Sequence, residues 1–260
     1  MNRTGLLIAL GVGVCVGVMF AVWPQLDVAI SRVFFNEAHR VFPVQYSLVA
    51  RNLRDLFTYM IAALVAPAFI AVAIKVILPR RRMLISARAA LFLITTIALA
   101  PGLMANVILK DHWGRPRPAE VTQFNGPEQF RPWWDPRGSC DRNCSFVAGE
   151  GAGGFWTFAP AALAPLHLRP LAYAAGLAFG AAAGLLRLSG GAHFFTDVVF
   201  SGVFTFLIVW IAHGFIYRWP RMRLTDEQIE RTIERVVLPI YEPIERGFER
   251  LRGRHAGERS

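Results

Sequence analysis

The sequence predicts an all-α integral membrane protein, a bundle of six transmembrane helices with interfacial helices and an amphipathic C-terminal tail. Of its 260 residues, 54% are hydrophobic, and they are concentrated in runs of about 18 or more, the length that crosses a bilayer. The net charge is +10, and the basic residues lie in short segments between those runs. This placement suits anionic headgroups and argues against nucleic acid as a partner.

Six apolar runs divide the chain, and their bounds follow from hydropathy. Trp23-Pro24 ends the first run, which lacks a convincing cleavage site and is therefore predicted to stay as a span. Residues 25–55 predict one or two helices lying along a membrane face, and Pro101-Gly102 predicts a kink in the third span. The predicted spans are Gly5–Val22, Phe57–Leu78, Ala89–Leu109, Phe146–Leu166, Leu171–Leu186 and Val198–Tyr217.

The positive-inside rule orients these spans. Two arginine-rich segments, Arg80–Arg82 and Arg218–Arg223, fall on one side if there are six spans, and that side is predicted to be cytoplasmic together with both termini. The segments Lys110–Asn143 and Arg187–Thr196 then face outward.

The chain is predicted to contain a membrane domain, residues 1–220 with a motif core at 105–205, and a cytoplasmic tail, residues 221–260. A T-x-x-Q capping box predicts the start of a helix in the tail, and Pro239 and Pro243 are expected to bend or break it. This helix covers the cytoplasmic face or forms a dimer contact; the sequence leaves both open. Its apolar positions are Ile229, Ile233, Val236, Val237, Ile240, Ile244, Phe248 and Leu251.

Three polar elements meet at the outward end in this topology. The stretch KDHWGRPRP carries Lys110, Arg115 and Arg117. The small-residue start of the fourth span carries Glu150 in its first turn, where unpaired N–H groups and the helix dipole favour an anion. The third element is RLSGGAHFFTD, which begins at Arg187.

The third element places His193 and Asp197 four residues apart, so they share a face if the chain is helical there. An acid beside an imidazole can hold one ring nitrogen while the other attacks an electrophile. An alternative is a helix end that happens to carry a cation and a histidine. Because cations, a helix N-terminus and a His-Asp pair converge, phosphoryl transfer is the chemistry that the pattern favours.

Two of these motifs resemble a known family. K-x6-R-P at Lys110 and Arg117, followed by R-x5-H-x3-D at Arg187, His193 and Asp197, is similar to the type-2 phosphatidic acid phosphatase superfamily over the third to sixth spans. The resemblance implies that His193 attacks phosphorus to form a phosphohistidine and that Asp197 orients it and balances its charge. It also implies that the lysine and the two arginines bind phosphate, without metal or cofactor.

The middle motif departs from that family. Where the family has P-S-G-H, this chain has Val147, Ala148, Gly149 and Glu150, so the phosphate-binding serine and the general-acid histidine are absent. The resemblance leaves the backbone N–H groups of Ala148 and Gly149 as phosphate donors and Glu150 as the candidate acid. Auxiliary candidates are Asp111, His112 and Arg115.

The variant CSFVAGEG is similar to lipid A phosphatases that act at the 4′ position. This resemblance implies a lipid A or related saccharolipid substrate, a bacterial inner membrane and a site that faces the periplasm. The expected function is a metal-independent lipid phosphatase whose partners are a membrane lipid and the bilayer. Alternatives are a phosphatase of undecaprenyl diphosphate or phosphatidylglycerol phosphate, a lipid phosphotransferase, and a catalytically silent lipid-binding or transport protein. The oligomeric state is not predicted.

Cys140 and Cys144 lie close together in the outward loop. A disulfide suits an oxidising periplasm and would hold the start of the fourth span near Glu150. Free thiols or a metal pair are alternatives. Zinc could also use His112, His193 and Glu150, although the spacing matches no tetrahedral signature.

Overall fold

The computed structural model describes the backbone of residues 1–257 and the side chains of residues 1–243 and 245. Within that range the fold is all-helical, and two isolated bridges, Asn36–Val41 and Val121–Glu128, are the only β-type pairings. The helices are α1 (Arg3–Val22), α2 (Gln25–Arg32), α3 (Leu48–Ile77), α4 (Ala87–His112), α5 (Gly149–Phe155), α6 (Phe158–Leu163), α7 (Arg169–Ser189), α8 (Phe195–Arg218) and α9 (Asp226–Gly257). Short 3₁₀ turns lie at Pro43–Tyr46, Pro118–Glu120 and Thr122–Phe124.

Five of the described helices, α1, α3, α4, α7 and α8, are long and apolar enough to cross a membrane. The predicted fourth span is instead divided into α5 and α6, of seven and six residues. Pro160 explains the division, because in one continuous helix its ring would clash with the carbonyl of Trp156 and its N–H bond would be missing. The Thr157 hydroxyl caps the break by donating to the Gly154 carbonyl at 2.7 Å.

Two element boundaries differ from the hydropathy prediction. α3 begins nine residues earlier than expected, at Leu48, because the Ser47 hydroxyl accepts a hydrogen bond from the Ala50 N–H at 3.3 Å and caps the helix. α4 widens into π-helical turns over Ala98–Leu109. There the Asn106 amide donates to the Pro101 carbonyl at 2.7 Å.

Small residues bring α5 close to its neighbours. A Cβ added at Gly154 would lie 2.8 Å from the Gly180 Cα of α7, and the Phe155 ring lies against Gly180 and against Gly202 of α8. Such close approach is the usual reason for glycine in membrane helix contacts. It holds α5 in the centre of the bundle, with Glu150 at one end.

The tail helix α9 packs against the opposite end. The capping box forms as predicted: Thr225 N–H donates to Gln228 Oε1 at 2.9 Å, and Gln228 N–H donates to Thr225 Oγ1 at 3.2 Å. The buried Lys75 of α3 donates to Glu230 at 3.1 Å and to Glu234 at 2.5 Å.

Pro239 and Pro243 were expected to bend or break the tail helix; they do not break it, because α9 continues through both, and a bend there stays a prediction. Both prolines are exposed, so solvent can satisfy the carbonyls that they leave without a donor. Residues 258–260, and the side chains of Ile244, Phe248 and Leu251, lie outside the described residues.

Candidate active site

The chain brings the predicted site residues together at the end of the bundle opposite α9. Lys110 lies in the last turn of α4, Arg187 in the last turn of α7, and His193 in the segment before α8. The charges of Lys110, Arg187 and Arg117 all act on His193. The cations and the histidine therefore form one cluster, although they come from three separate parts of the chain.

His193 is held by a backbone carbonyl. Its side chain is only 1% exposed, and its Nδ1 lies 2.6 Å from the Ser145 oxygen. Because a carbonyl can only accept a hydrogen bond, Nδ1 carries the proton and Nε2 of the neutral ring carries the lone pair. The unprotonated nitrogen is therefore the one left for nucleophilic attack.

The charge state of His193 favours the same role. Burial lowers the pKa of His193 well below its usual value, and the charges of Lys110, Arg187 and Arg117 lower it further. The Ser145 carbonyl opposes this shift but does not outweigh it. The imidazole is therefore neutral at pH 7, as a nucleophile must be.

Asp197 acts on this histidine less directly than its spacing suggests. Its closest approach to His193 Nδ1 is 3.9 Å, because His193 precedes the first turn of α8. The carboxylate instead accepts from the Ser145 hydroxyl at 2.5 Å and from the Phe194 N–H at 2.8 Å. Ser145 therefore links the two residues, its hydroxyl to Asp197 and its carbonyl to His193.

Arg115 is a structural residue here, not an auxiliary phosphate ligand. It is fully buried, and its guanidinium donates to Asp197, to Thr196 Oγ1 at 2.8 Å and to Asp27 Oδ2 at 2.7 Å. Because these contacts occupy it in the interior, the prediction that it assists at the phosphate is wrong. Asp27, 1% exposed, was not predicted as a site residue; the one hint was a carboxylate in a short helix next to the first apolar run.

Glu150 is paired with two arginines at the partly exposed rim of the cluster. It accepts from Arg54 Nε at 3.1 Å and from Arg54 Nη2 at 2.7 Å. Arg187 Nε lies 3.3 Å from the same carboxylate. Arg54 was also not predicted. The signal that could have indicated it is a cation near the outward end of a predicted span, as for Lys110.

The glycine at the start of α5 leaves room for Lys110. A Cβ added at Gly149 would lie 2.9 Å from Lys110 Nζ and 2.5 Å from Asn106 Oδ1, so a larger residue would shift both side-chain ends from these positions. The prediction that the Ala148 N–H binds phosphate is wrong, because that N–H donates to the Asp197 carbonyl at 3.2 Å. A donor role for the Gly149 N–H stays a prediction.

Arg117 and Asp111 contact the end of the segment Lys110–Asn143, and His112 lies at its start. Arg117 Nη2 donates to the Asn143 carbonyl at 2.7 Å, and Asp111 Oδ1 accepts from the Asn143 N–H at 3.2 Å. His112 is exposed, with Nδ1 2.9 Å from the Ile108 carbonyl of its own helix. Arg117 and Asp111 thus hold the same residue of the loop.

The predicted disulfide between Cys140 and Cys144 is confirmed. The Cys144 N–H donates to the Lys110 carbonyl at 2.9 Å and the Ser145 N–H to the Arg115 carbonyl at 2.8 Å, so this segment fixes Ser145 beside the end of α4. The disulfide also removes both cysteines as zinc ligands. Within the described part of the chain, no three His, Cys, Asp or Glu side chains are grouped to hold a metal ion.

The chain is similar to known proteins. A family model for the PAP2 superfamily matches residues 89–222. The chain is 36% identical over 233 residues to a lipid A 4′-phosphatase of Francisella tularensis subsp. novicida (strain U112), covering 81% of this chain and 96% of the relative.

Two further relatives are shorter matches. A lipid A 4′-phosphatase of Rhizobium leguminosarum is 40% identical over 117 residues, 45% of this chain and 50% of the relative. One of Rhizobium etli is 39% identical over 116 residues, 45% of each chain. No solved structure matches the chain. The match to the family over the region that carries the cations and His193, together with the match to the Francisella relative along most of its length, shows that this chain belongs to the PAP2 superfamily.

Proposed function

We propose that this protein is a membrane lipid phosphatase that removes a phosphate monoester from a saccharolipid such as lipid A through a phosphohistidine at His193. One observation carries the proposal: a buried, neutral imidazole keeps its proton on Nδ1 and so its lone pair on Nε2, and the charges of Lys110, Arg117 and Arg187 act on this ring. A nucleophile among fixed cations is what displacement at a phosphoryl group requires.

The proposed reaction has two steps. The Nε2 lone pair forms a bond to phosphorus while the phosphorus–oxygen bond to the lipid breaks, and the three cations stabilise the charge on the other phosphate oxygens. An acid gives the leaving oxygen a proton, and Glu150 is our candidate because it stands where the family has its histidine. Water then attacks the phosphohistidine and gives a proton back to the Glu150 carboxylate as the nitrogen–phosphorus bond breaks, which releases inorganic phosphate and restores both the neutral ring and the acid.

Asp197 takes part through its neighbours. When Nε2 is bonded to phosphorus, the ring becomes positively charged, and the Ser145 carbonyl at Nδ1 and the carboxylate 3.9 Å away both favour that charge. We therefore assign Asp197 the orienting and charge-balancing role. The proposed cycle uses no metal ion.

The substrate class is supported by the relatives, which are named for action on lipid A. A bacterial inner membrane, with the site facing the periplasm and both termini in the cytoplasm, fits the arginine distribution. Arg80 pairs with Glu245 at 2.8 Å and Arg88 with Asp226 at 3.6 Å, on the end away from His193. We propose that α5 and α6 together form the sixth crossing, because they lead from Glu150 at the site toward Arg169 at the other end.

The test is phosphate release from a panel of purified lipids by the full-length protein in detergent. The panel contains lipid A, undecaprenyl diphosphate, phosphatidylglycerol phosphate and phosphatidic acid, each with and without a chelator. We expect lipid A to be the best substrate, to lose its 4′-phosphate, and to be hydrolysed equally with chelator present. Transfer of the phosphate to a second lipid would identify a phosphotransferase instead. Release from none of these lipids would overturn the proposal.

A further inference from the structure

The contact between Arg54 and Glu150 joins the site to a helix that carries none of the family's motifs. Arg54 lies in the second turn of α3, 96 residues from Glu150 in the sequence. Its Nε and Nη2 contact separate carboxylate oxygens, at 3.1 Å and 2.7 Å. This is the two-bond arrangement in which a guanidinium fixes the plane of a carboxylate.

The Arg54–Glu150 ion pair contributes little to the stability of the fold. The two side chains are 40% and 36% exposed, and water screens ion pairs at such positions while the long side chains lose rotamer freedom. The ion pair therefore matters for how the fixed Glu150 carboxylate acts on the neighbouring cations.

Glu150 faces two of the phosphate-binding cations as well as Arg54. Arg187 Nε lies 3.3 Å from Glu150 Oε2, and this nitrogen is buried without a hydrogen-bond partner, so the contact is a close approach and not a full bond. The charge of Glu150 also acts on the Lys110 ammonium. A carboxylate released from Arg54 can turn to either of them.

A phosphate group must bind to those same two cations. Any carboxylate that pairs fully with them competes with the phosphate for the same N–H donors. Arg54 occupies both oxygens of Glu150 and balances its charge, which leaves the terminal amino groups of Arg187 and the Lys110 ammonium to the substrate.

We propose that Arg54 is a positioning residue: it holds Glu150 in a fixed ion pair and so prevents that carboxylate from competing with the substrate's phosphate for Arg187 and Lys110. This inference rests on the proposed function, because it assigns those two cations to phosphate. It predicts an unusual pattern among variants, in which a second substitution repairs the first.

The experiment measures the Kd of inorganic phosphate for the full-length protein in detergent by calorimetry. Arg54→Ala should raise that Kd about tenfold, the effect of one competing charge-assisted contact. Arg54→Ala with Glu150→Gln should bring it back close to the wild-type value, since no carboxylate remains to compete. Arg54→Lys should have an intermediate effect, because lysine keeps the positive charge but cannot form the two parallel bonds of a guanidinium.

Arg51→Ala is the matched control, an exposed arginine three residues earlier on α3, and should leave the Kd unchanged. An unchanged Kd in Arg54→Ala, or a double variant that binds phosphate as weakly as Arg54→Ala alone, would overturn the inference. Lipid hydrolysis by the wild-type protein is measured separately, so failure of the proposed function is distinguishable: the Kd pattern needs no turnover.

Discussion

Two ion-pair networks lie at the end of the bundle opposite α9. The buried network consists of Asp27, Arg115, Thr196, Asp197 and Ser145. Its three charged residues, Asp27, Arg115 and Asp197, are at most 1% exposed. The rim network consists of Arg54, Glu150 and Arg187, in which the first two side chains are 40% and 36% exposed. Each joins helices that are far apart in the chain, and both use arginine and carboxylate.

The two networks differ in their roles because they differ in burial. Charges taken out of water need permanent partners, because an unpaired buried charge costs several kcal/mol. The buried network is therefore a fixed support that positions Ser145, and through it His193. Charges at the rim keep part of their hydration, so their pairing contributes little to stability, and the fixed Arg54–Glu150 pair matters instead for the phosphate that binds beside it.

The largest expected effect is at the residue that the buried network positions. His193→Ala should lower phosphate release about 10⁴-fold or more, since the nucleophile is lost while the cations remain. Its elution in gel filtration should match that of the wild type. His39→Ala, at an exposed histidine, is the control and should keep full activity. Activity within tenfold of wild type in His193→Ala would remove the phosphohistidine from the mechanism.

Asp27→Ala tests whether the buried network supports the fold. It leaves Arg115 with one fewer buried carboxylate, and we expect a loss of about 3–5 kcal/mol in the free energy of unfolding, measured by denaturation in detergent. Glu37→Ala, which removes an exposed acid, should change it by about 1 kcal/mol or less. Equal stabilities for the two variants would show that burial does not distinguish the networks.

Arg117→Ala and Arg187→Ala each remove one cation that, in the proposed function, stabilises the transferring phosphate. We expect each to reduce kcat/KM by about 10²–10³, or about 3–4 kcal/mol of transition-state stabilisation. Arg142→Ala, at a side chain that is 84% exposed, provides the control in the same loop region. A loss below tenfold in both variants would place phosphate binding elsewhere.

The pH profile reports how the cations act on His193. Burial, and after it the charges of Lys110, Arg187 and Arg117, hold the pKa of His193 below 6.5. The decrease of kcat/KM on the acid side, the acid limb, should therefore lie below that pH, where the ring gains a proton and can no longer attack. Lys110→Met removes a repelling charge, so the pKa rises and the limb moves to higher pH. Arg142→Ala should leave the limb in place. A limb that stays or moves down in Lys110→Met would contradict this reasoning.

The smallest expected effect concerns the stability contributed by the rim network. Arg54→Ala should change the free energy of unfolding by about 1 kcal/mol or less, because the pair is partly exposed. The same denaturation assay as for Asp27→Ala measures it. A loss as large as that of Asp27→Ala would mean that the rim network is also a structural support.

Much of the site was predictable because its motifs are local in the sequence. Lys110, Arg117, Arg187 and His193 were placed together from span ends alone, since hydropathy determines which loops share a membrane face. The disulfide was predicted from two neighbouring cysteines in one loop that the hydropathy pattern placed outside the membrane spans. Arg115 was misjudged because a charge beside the motif looks the same in sequence whether it faces the phosphate or the interior.

The sequence by itself determined the five long apolar helices, the family and the end of the bundle where the cations gather, because each depends on composition and order along the chain. Only the tertiary structure decided that Ser145 stands between His193 and Asp197, that Asp27 supports Arg115, and that Arg54 holds Glu150. These contacts join residues 48, 88 and 96 positions apart. They depend on how helices pack and where a backbone carbonyl points, which no local pattern of residue types specifies.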